Sequence, residues 1–393
     1  MSEKRFKEAF LTTAFLATVF GVGIAQTVVE WRRGETPQAL DLFRKAPTAA
    51  SLRAYENDLE DASVIAEALR PVMQYAEFKV LDDGGEYALL GRDGWLFYKP
   101  DVQYLAERFV NPASLQIGPQ ALHADDARET APADAADAIV AFRDALQARG
   151  IHLLVVPMPV KASIYPEQLA RRAQDAKPPV HEHTSGLIAE LARAGVETVD
   201  LFETFRAARA ESPEPLYLRQ DTHWTPEGMA LAARTVADRL TALGWVSPGN
   251  TEYALRPVEV ERPGDIVLMM KSPWIAQCYT AETVTCEQVV DPVSNAPYKD
   301  VPGAEVLVLG DSFLRIYQQD EPSAAGFTAH LAHALQQPVE SIVNDGGAST
   351  LVRQELSRRP ALLANKKVVV WEFVERDVRF GTEGWQDVPL PKI

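Results

Sequence analysis

A chain of 393 residues with 47% apolar and 24% charged side chains has room for one large domain or two ordinary ones, and this composition argues against wholesale disorder. Its formal charge of −16 argues against nucleic acid, whose phosphates need clustered Lys and Arg, and against broad docking on a polyanion.

The segment from Phe10 to Val29 carries no charge and lies between Lys4, Arg5 and Lys7 on one side and Trp31, Arg32 and Arg33 on the other. At about 1.5 Å rise per residue it spans roughly 30 Å, the thickness of a bilayer's hydrocarbon core. It reads as an uncleaved membrane anchor. The alternative is a cleaved signal peptide, with Leu11 to Phe20 as its apolar region and Gly23-Ile24-Ala25 as its cleavage site. Either reading exports the remaining chain. Basic residues at both ends leave the orientation open. The expected organisation is an anchor or signal over 1–33, a helical connector over 34–85 with breaks at Pro37, Pro47 and Pro71, and one domain over 86–393. The turn Asp82-Asp83-Gly84-Gly85 marks the boundary.

Beyond it the pattern alternates. A helix is expected over Asp134 to Arg149, with Ile139, Phe142 and Leu146 at helical spacing and Gly150 behind it. Ile151 to Val156 is an apolar run suited to a strand buried on both faces. A helix over Leu187 to Arg193 and a strand over Val196 to Val199 follow. Met229 to Leu243 is a further helix, with Pro226 in its first turn. Val306 to Leu309, Glu340 to Val343 and Lys367 to Phe373 are strands, separated by helices over Ala324 to Gln336 and Thr350 to Leu363. Such alternation predicts a three-layer α/β/α fold around a mostly parallel sheet. Residues 257–302 break the rhythm and read as an insertion or lid-like loop. Cys278 and Cys286 lie within it and form a disulfide candidate in an oxidising compartment.

Three stretches carry chemistry. The apolar strand Val306 to Leu309 stops in Gly310-Asp311-Ser312, and catalytic groups of open α/β sheets sit at such strand ends. A serine there needs a base held by a third group. Asp221-Thr222-His223-Trp224 offers one: His223 to take the serine proton and Asp221 to fix its tautomer. Asp221 and His223 also suit a metal site, but no partner run has ligand spacing, so no metal and no cofactor are expected. Asn344-Asp345-Gly346-Gly347 ends another strand, where a glycine N–H can face an oxyanion or simply make a turn.

Together these residues resemble an SGNH-type hydrolase, and more narrowly the AlgJ/AlgX family of bacterial polysaccharide (alginate) O-acetyltransferases. Gly91-Arg92-Asp93-Gly94-Trp95-Leu96-Phe97 resembles the family's Gly-x-Asp-Gly-Trp-Leu-Phe opening, and Pro157-Met158-Pro159-Val160-Lys161 with Tyr165-Pro166 its Pro-x-Pro-x-Lys segment. Asp221-Thr222-His223-Trp224 is similar to its Asp-x-His-Trp motif and Gly310-Asp311-Ser312 to its nucleophile block. The Asp–His pair precedes the serine, a permuted order that resembles this family rather than a generic lipase. About twenty residues follow the last strand, too few for the C-terminal carbohydrate-binding module of AlgX, so AlgJ is the nearer likeness.

The resemblance implies a Ser312–His223–Asp221 triad, Ser312 and Gly346 as oxyanion donors, and an acetyl-enzyme resolved by a polysaccharide hydroxyl or another carrier. It also implies an acetyl donor supplied by a membrane-bound O-acyltransferase. Lys161, Tyr165, Trp224, Arg315 and Asn344 are candidates to line the cleft. The third block departs: Trp371-Glu372-Phe373-Val374-Glu375-Arg376 stands where a generic member carries Gly-x-Asn, leaving Arg376 and Asn344 as substitutes for the missing donor. A polysaccharide acetylesterase, or an inactive scaffold in a polymer-export complex, are the alternatives.

Overall fold

The computed structural model describes residues 3–43, 48–106, 134–173 and 180–390; Pro47 lies outside them. Met1–Asp83 with Lys271–Gln277 form one compact unit, and Gly84–Met270 with Cys278–Ile393 form another.

In the first unit a helix covers Glu3–Arg32, and its stretch Ala9–Arg32 is long and apolar enough to cross a membrane. Gln26, the polar residue that breaks its apolar face, has a local reason. Its amide donates to Glu30 Oε1 and Ala62 O, both at 2.8 Å, and accepts from Val64 N at 2.9 Å. Helices over Ala49–Asp61 and Val64–Leu81 follow, the second capped by Ser63. The expected break at Pro71 does not occur, since the second helix runs through it.

The second unit is built on a parallel sheet. Its strands in chain order are β1 (Ala88–Leu90), β2 (Leu96–Tyr98), β3 (His152–Met158), β4 (Glu197–Thr198), β5 (Ala254–Arg262), β6 (Glu282–Val290), β7 (Val306–Gly310), β8 (Val339–Val343) and β9 (Val368–Val374). The central sheet has the order β4-β3-β9-β7-β8 with every pair parallel. Side chains alternate across it, as the pleat requires. Leu154, Val156, Val306, Val308, Val368 and Val370 enter one apolar layer. Leu153, Val155, Leu307, Leu309, Val369, Trp371 and Phe373 enter the other. Helices such as Pro226–Ala242 and Phe327–Leu335 cover the first face, and Ala135–Gln147 and Leu351–Arg358 the second.

Residues 257–302 are not a loop. β5 and β6 form an antiparallel hairpin from Ala254↔Val290 to Arg262↔Glu282, with a short helix, Asp265–Met269, behind β5. The disulfide candidate is not formed in this structure. Cys286 is buried midway along β6, while Cys278 lies exposed ahead of that strand, and they are not bonded to each other.

Candidate active site

The segment from Leu216 to Thr225 doubles back on itself. Leu218 N donates to His223 O at 3.1 Å and Thr225 N to Leu216 O at 2.9 Å. Thr225 then caps the helix Pro226–Ala242, its hydroxyl accepting from Gly228 N, with Pro226 in the first turn. The tip of this loop is held from several elements. Lys161 Nζ spends its three protons on Leu218 O (2.9 Å), Arg219 O (3.1 Å) and Asp221 O (2.7 Å). Glu282, at the start of β6, accepts from Arg219 N (3.0 Å) and Gln220 N (2.9 Å). Asp265 accepts from Thr222 N at 2.7 Å and from the Thr222 hydroxyl. Gly264 makes that contact possible, because a Cβ there would lie 2.4 Å from Gln220 O.

The loop brings Asp221 and His223 to Ser312. His223 Nδ1 is 2.6 Å from Asp221 Oδ1, and Nε2 is 2.8 Å from Ser312 Oγ. With its Nδ1–H donating to Asp221, the ring leaves Nε2 free to accept the serine proton. Asp221 and His223 are buried, whereas Ser312 is half-buried. Burial would raise the Asp221 pKa, but the imidazole it pairs with and the Arg262 guanidinium hold it well below the usual carboxylate range. Burial would likewise lower that of His223, but Asp221, and after it Asp265, raise it above the ordinary value.

The turn that carries Ser312 rests on Glu372. Gly310 ends β7 on the same sheet face as Val306 and Val308, and a Cβ there would fall 2.3 Å from Glu372 Oε2. That oxygen accepts from Asp311 N at 3.1 Å. Asp311 in turn caps the turn Ser312–Arg315 by accepting from Phe313 N. Burial, and then the Asp311 carboxyl, push the Glu372 pKa well above the usual range. Beside this turn, Asn344 N donates to Gly310 O at 3.0 Å, and the loop continues into a left-handed residue at Gly346 (φ 65°).

Ion pairs frame the site. Arg262 Nη2 lies 3.6 Å from Asp221 Oδ2 and its Nη1 3.6 Å from Asp320 Oδ2. Arg315 pairs with Asp320 and, at 2.8 Å, with Asp345, so the Asn344–Gly346 loop is tied to the nucleophile turn. Asp221, His223 and Asp265 offer donor atoms within 4.8 Å of one another. A cation bound there would compete for Nδ1, the atom that must keep its proton for Nε2 to face Ser312.

Several expected cleft residues are buried in the support of the site and do not line it. Lys161 and Tyr165 are buried, 1% and 6% exposed, and Trp224 is fully so; none is open to a polymer. Lys161 is used up on backbone carbonyls, and Tyr165 accepts from Leu216 N. Trp224 packs between Phe313 and Phe327. Arg376 is spent on Asp101 at 2.8 Å, beneath the Tyr98 ring, which removes it as an oxyanion candidate. Arg315 and the half-buried Asn344 stay at the site. Sequence reasoning missed Arg262, Asp265 and Glu282, which all come from the hairpin segment, and Glu372.

Residues 88–375 match the family described as SGNH hydrolase-like domain, acetyltransferase AlgX. The chain belongs to that family. It is 24% identical over 333 residues to the probable alginate O-acetylase AlgJ of Pseudomonas syringae pv. tomato, covering 82% of this chain and 77% of that one. Its fold is similar to the O-acetyltransferase domain of Pseudomonas putida AlgJ, with a TM-score of 0.56 and 22% identity over 75% of this chain and 92% of that domain. It is also similar to Pseudomonas aeruginosa AlgX, with a TM-score of 0.50 and 19% identity over 73% and 62% of the two chains. The expected family and fold class are therefore correct, down to the helices on both faces of a parallel sheet.

Proposed function

We propose that this protein transfers acetyl groups to hydroxyls of an alginate-like exopolysaccharide through a covalent intermediate on Ser312. The observation that carries the reading is the continuous hydrogen-bonded line from Asp221 through His223 to Ser312, at 2.6 and 2.8 Å. The relatives named as alginate O-acetylases supply the acceptor class.

In the first half-reaction Ser312 Oγ forms a bond to the acetyl carbonyl carbon while its proton passes to His223 Nε2. The carbonyl electron pair moves onto oxygen. The N–H groups of Ser312, at the head of its turn, and Gly346 are the donors for that oxyanion, and one such donor contributes on the order of 3 kcal/mol. Collapse expels the donor's leaving group, which takes the proton from His223. In the second half-reaction a sugar hydroxyl loses its proton to Nε2 and attacks the acetyl-serine carbonyl carbon; collapse breaks the bond to Ser312 Oγ, which takes that proton back from Nε2. The Ala9–Arg32 helix supports an inner-membrane anchor with the second unit in the periplasm. Acetyl groups would then come from a membrane-bound O-acyltransferase, because acetyl-CoA is cytoplasmic.

The test is incubation of the full-length protein, in detergent, with an activated acetyl ester and a uronic-acid oligosaccharide. Acetyl on the sugar is expected by mass. Ester release with no sugar product at any acceptor concentration would make it an esterase instead.

A further inference from the structure

His223 Nδ1 faces two carboxylates. Asp221 Oδ1 is 2.6 Å away and Asp265 Oδ2 is 3.5 Å away on the same nitrogen. The two acids are joined as well, since Asp265 N donates to Asp221 Oδ2 at 3.2 Å. Thr222 makes a second path: its hydroxyl donates to Asp265 Oδ2 and lies 3.2 Å from His223 Nδ1. Gly264, with φ of 76°, sets Asp265 at the start of its helix against this loop.

We infer that Asp265 is a second acid serving His223, a positioning residue that holds the Nδ1 edge of the ring and stabilises the imidazolium formed when Ser312 loses its proton. The inference rests on the triad reading of the proposed function. Two adjacent carboxylates on one imidazole repel each other unless cations stand beside them. Both are present here: Arg262 reaches Asp221 Oδ2, and Lys161 lies close enough for both acids to act on its charge. The other groups facing His223 are Asp311, by its field, and the Phe313 ring, 4.9 Å from the imidazole centroid. When Nε2 takes the Ser312 proton, the new positive charge spreads over both ring nitrogens. On its Nδ1 side it then faces two acids already fixed by backbone and hydroxyl donors. In the chain, Asp265 follows His223 by way of the helix Pro226–Ala242 and β5, so the hairpin segment completes the site.

The experiment measures acylation of the full-length protein in detergent by an activated acetyl ester, from about pH 5 to 10. The chains compared are wild type, Asp265→Asn, Asp265→Glu, Asp221→Asn, the double variant D221N/D265N, and Ser312→Ala as background. Thermal melting of each reports folding. Asp265→Asn is expected to slow acylation about tenfold and to move the acid limb toward lower pH. Asp265→Glu should restore the limb. Asp221→Asn should keep about tenfold more activity than the double variant, because Asp265 still serves the ring. A wild-type rate and acid limb in Asp265→Asn, or a double variant no slower than Asp221→Asn, overturns the inference. If Asp265→Asn melts early, failure of Asp265→Glu to restore the limb overturns it as well. Wild-type acylation by Ser312→Ala removes the nucleophile assignment and this inference with it, whereas loss there beside an unaffected Asp265→Asn removes this inference alone.

Discussion

The backbone N–H of Asp311 donates to Glu372 Oε2 at 3.1 Å, so the turn that presents Ser312 stands on a buried carboxyl of the neighbouring strand. Glu372 stands two strand positions beyond Val370 on the same sheet face, in the space that a side chain at position 310 would need. The glycine of Gly310-Asp311-Ser312 is therefore required by what lies beneath it.

Gly310→Ala should destabilise the protein by about 1–3 kcal/mol, the usual cost of overpacking a filled core. The added carbon meets Glu372 Oε2 at 2.3 Å and Leu314 Cδ1 at 2.5 Å. Combined with Glu372→Ala, the penalty should be smaller than the sum of the single changes. Chemical denaturation of the four chains checks both statements, and strict additivity would show that the carboxyl is not what excludes the side chain.

Lys161 ties three carbonyls of the Asp221 loop from below. Lys161→Met leaves buried acceptors without donors, at about 1–3 kcal/mol for each group left unsatisfied. It should lower both the melting temperature and the acylation rate. Lys161→Arg, whose charge remains but whose fork cannot reproduce the tripod, should recover part of the stability and less of the rate. A methionine variant with wild-type rate would show the tie to be dispensable.

The pH profile should be bell-shaped. The raised pKa of His223 keeps the ring protonated, and unable to accept from Ser312, to a pH above the ordinary histidine value of about 6.5, so the rate should rise through a midpoint above it. Burial brings Lys161 down to about 8, against the pull of Asp265, Asp221, Glu282 and Asp101. Above that pH its amine has two protons for three carbonyls, and the rate should fall. Acylation rates across the range measure both limbs, and Lys161→Arg should remove the alkaline one.

Arg315 holds Asp345 at 2.8 Å and with it the loop that carries Gly346. Arg315→Met should lower the acylation rate about tenfold by loosening the proposed oxyanion donor Gly346, while hardly changing the melting temperature, since the pair is partly exposed. Saturation kinetics with the ester distinguish this from a binding defect, which would raise KM alone.

Much of this was legible in the sequence because it is local. The apolar runs at Val306 and Lys367 are strands buried on both faces, and Gly-Asp-Ser and Asp-Thr-His-Trp each place their side chains through a short turn. Lys161 misled because lysines are usually solvated; only the fold shows that the Leu218–Asp221 carbonyls converge on it. Arg262, Asp265 and Glu282 reach the loop from some forty to sixty residues away, at 3.6, 2.7 and 3.0 Å, through contacts that no local pattern encodes. Their hairpin did leave a signal. Val258-Glu259-Val260-Glu261 and Thr283-Val284-Thr285-Cys286 alternate with period two, as paired strands do.

The most direct measurement is the intact mass of the full-length protein after mixing with an activated acetyl ester, followed by peptide mapping, in wild type, Ser312→Ala and His223→Ala. The Asp221–His223–Ser312 line predicts one acetyl adduct on Ser312 in wild type, none in Ser312→Ala, and formation slowed by at least about a hundredfold in His223→Ala. An adduct at another residue, or equal ester turnover by all three chains with no adduct, would contradict it.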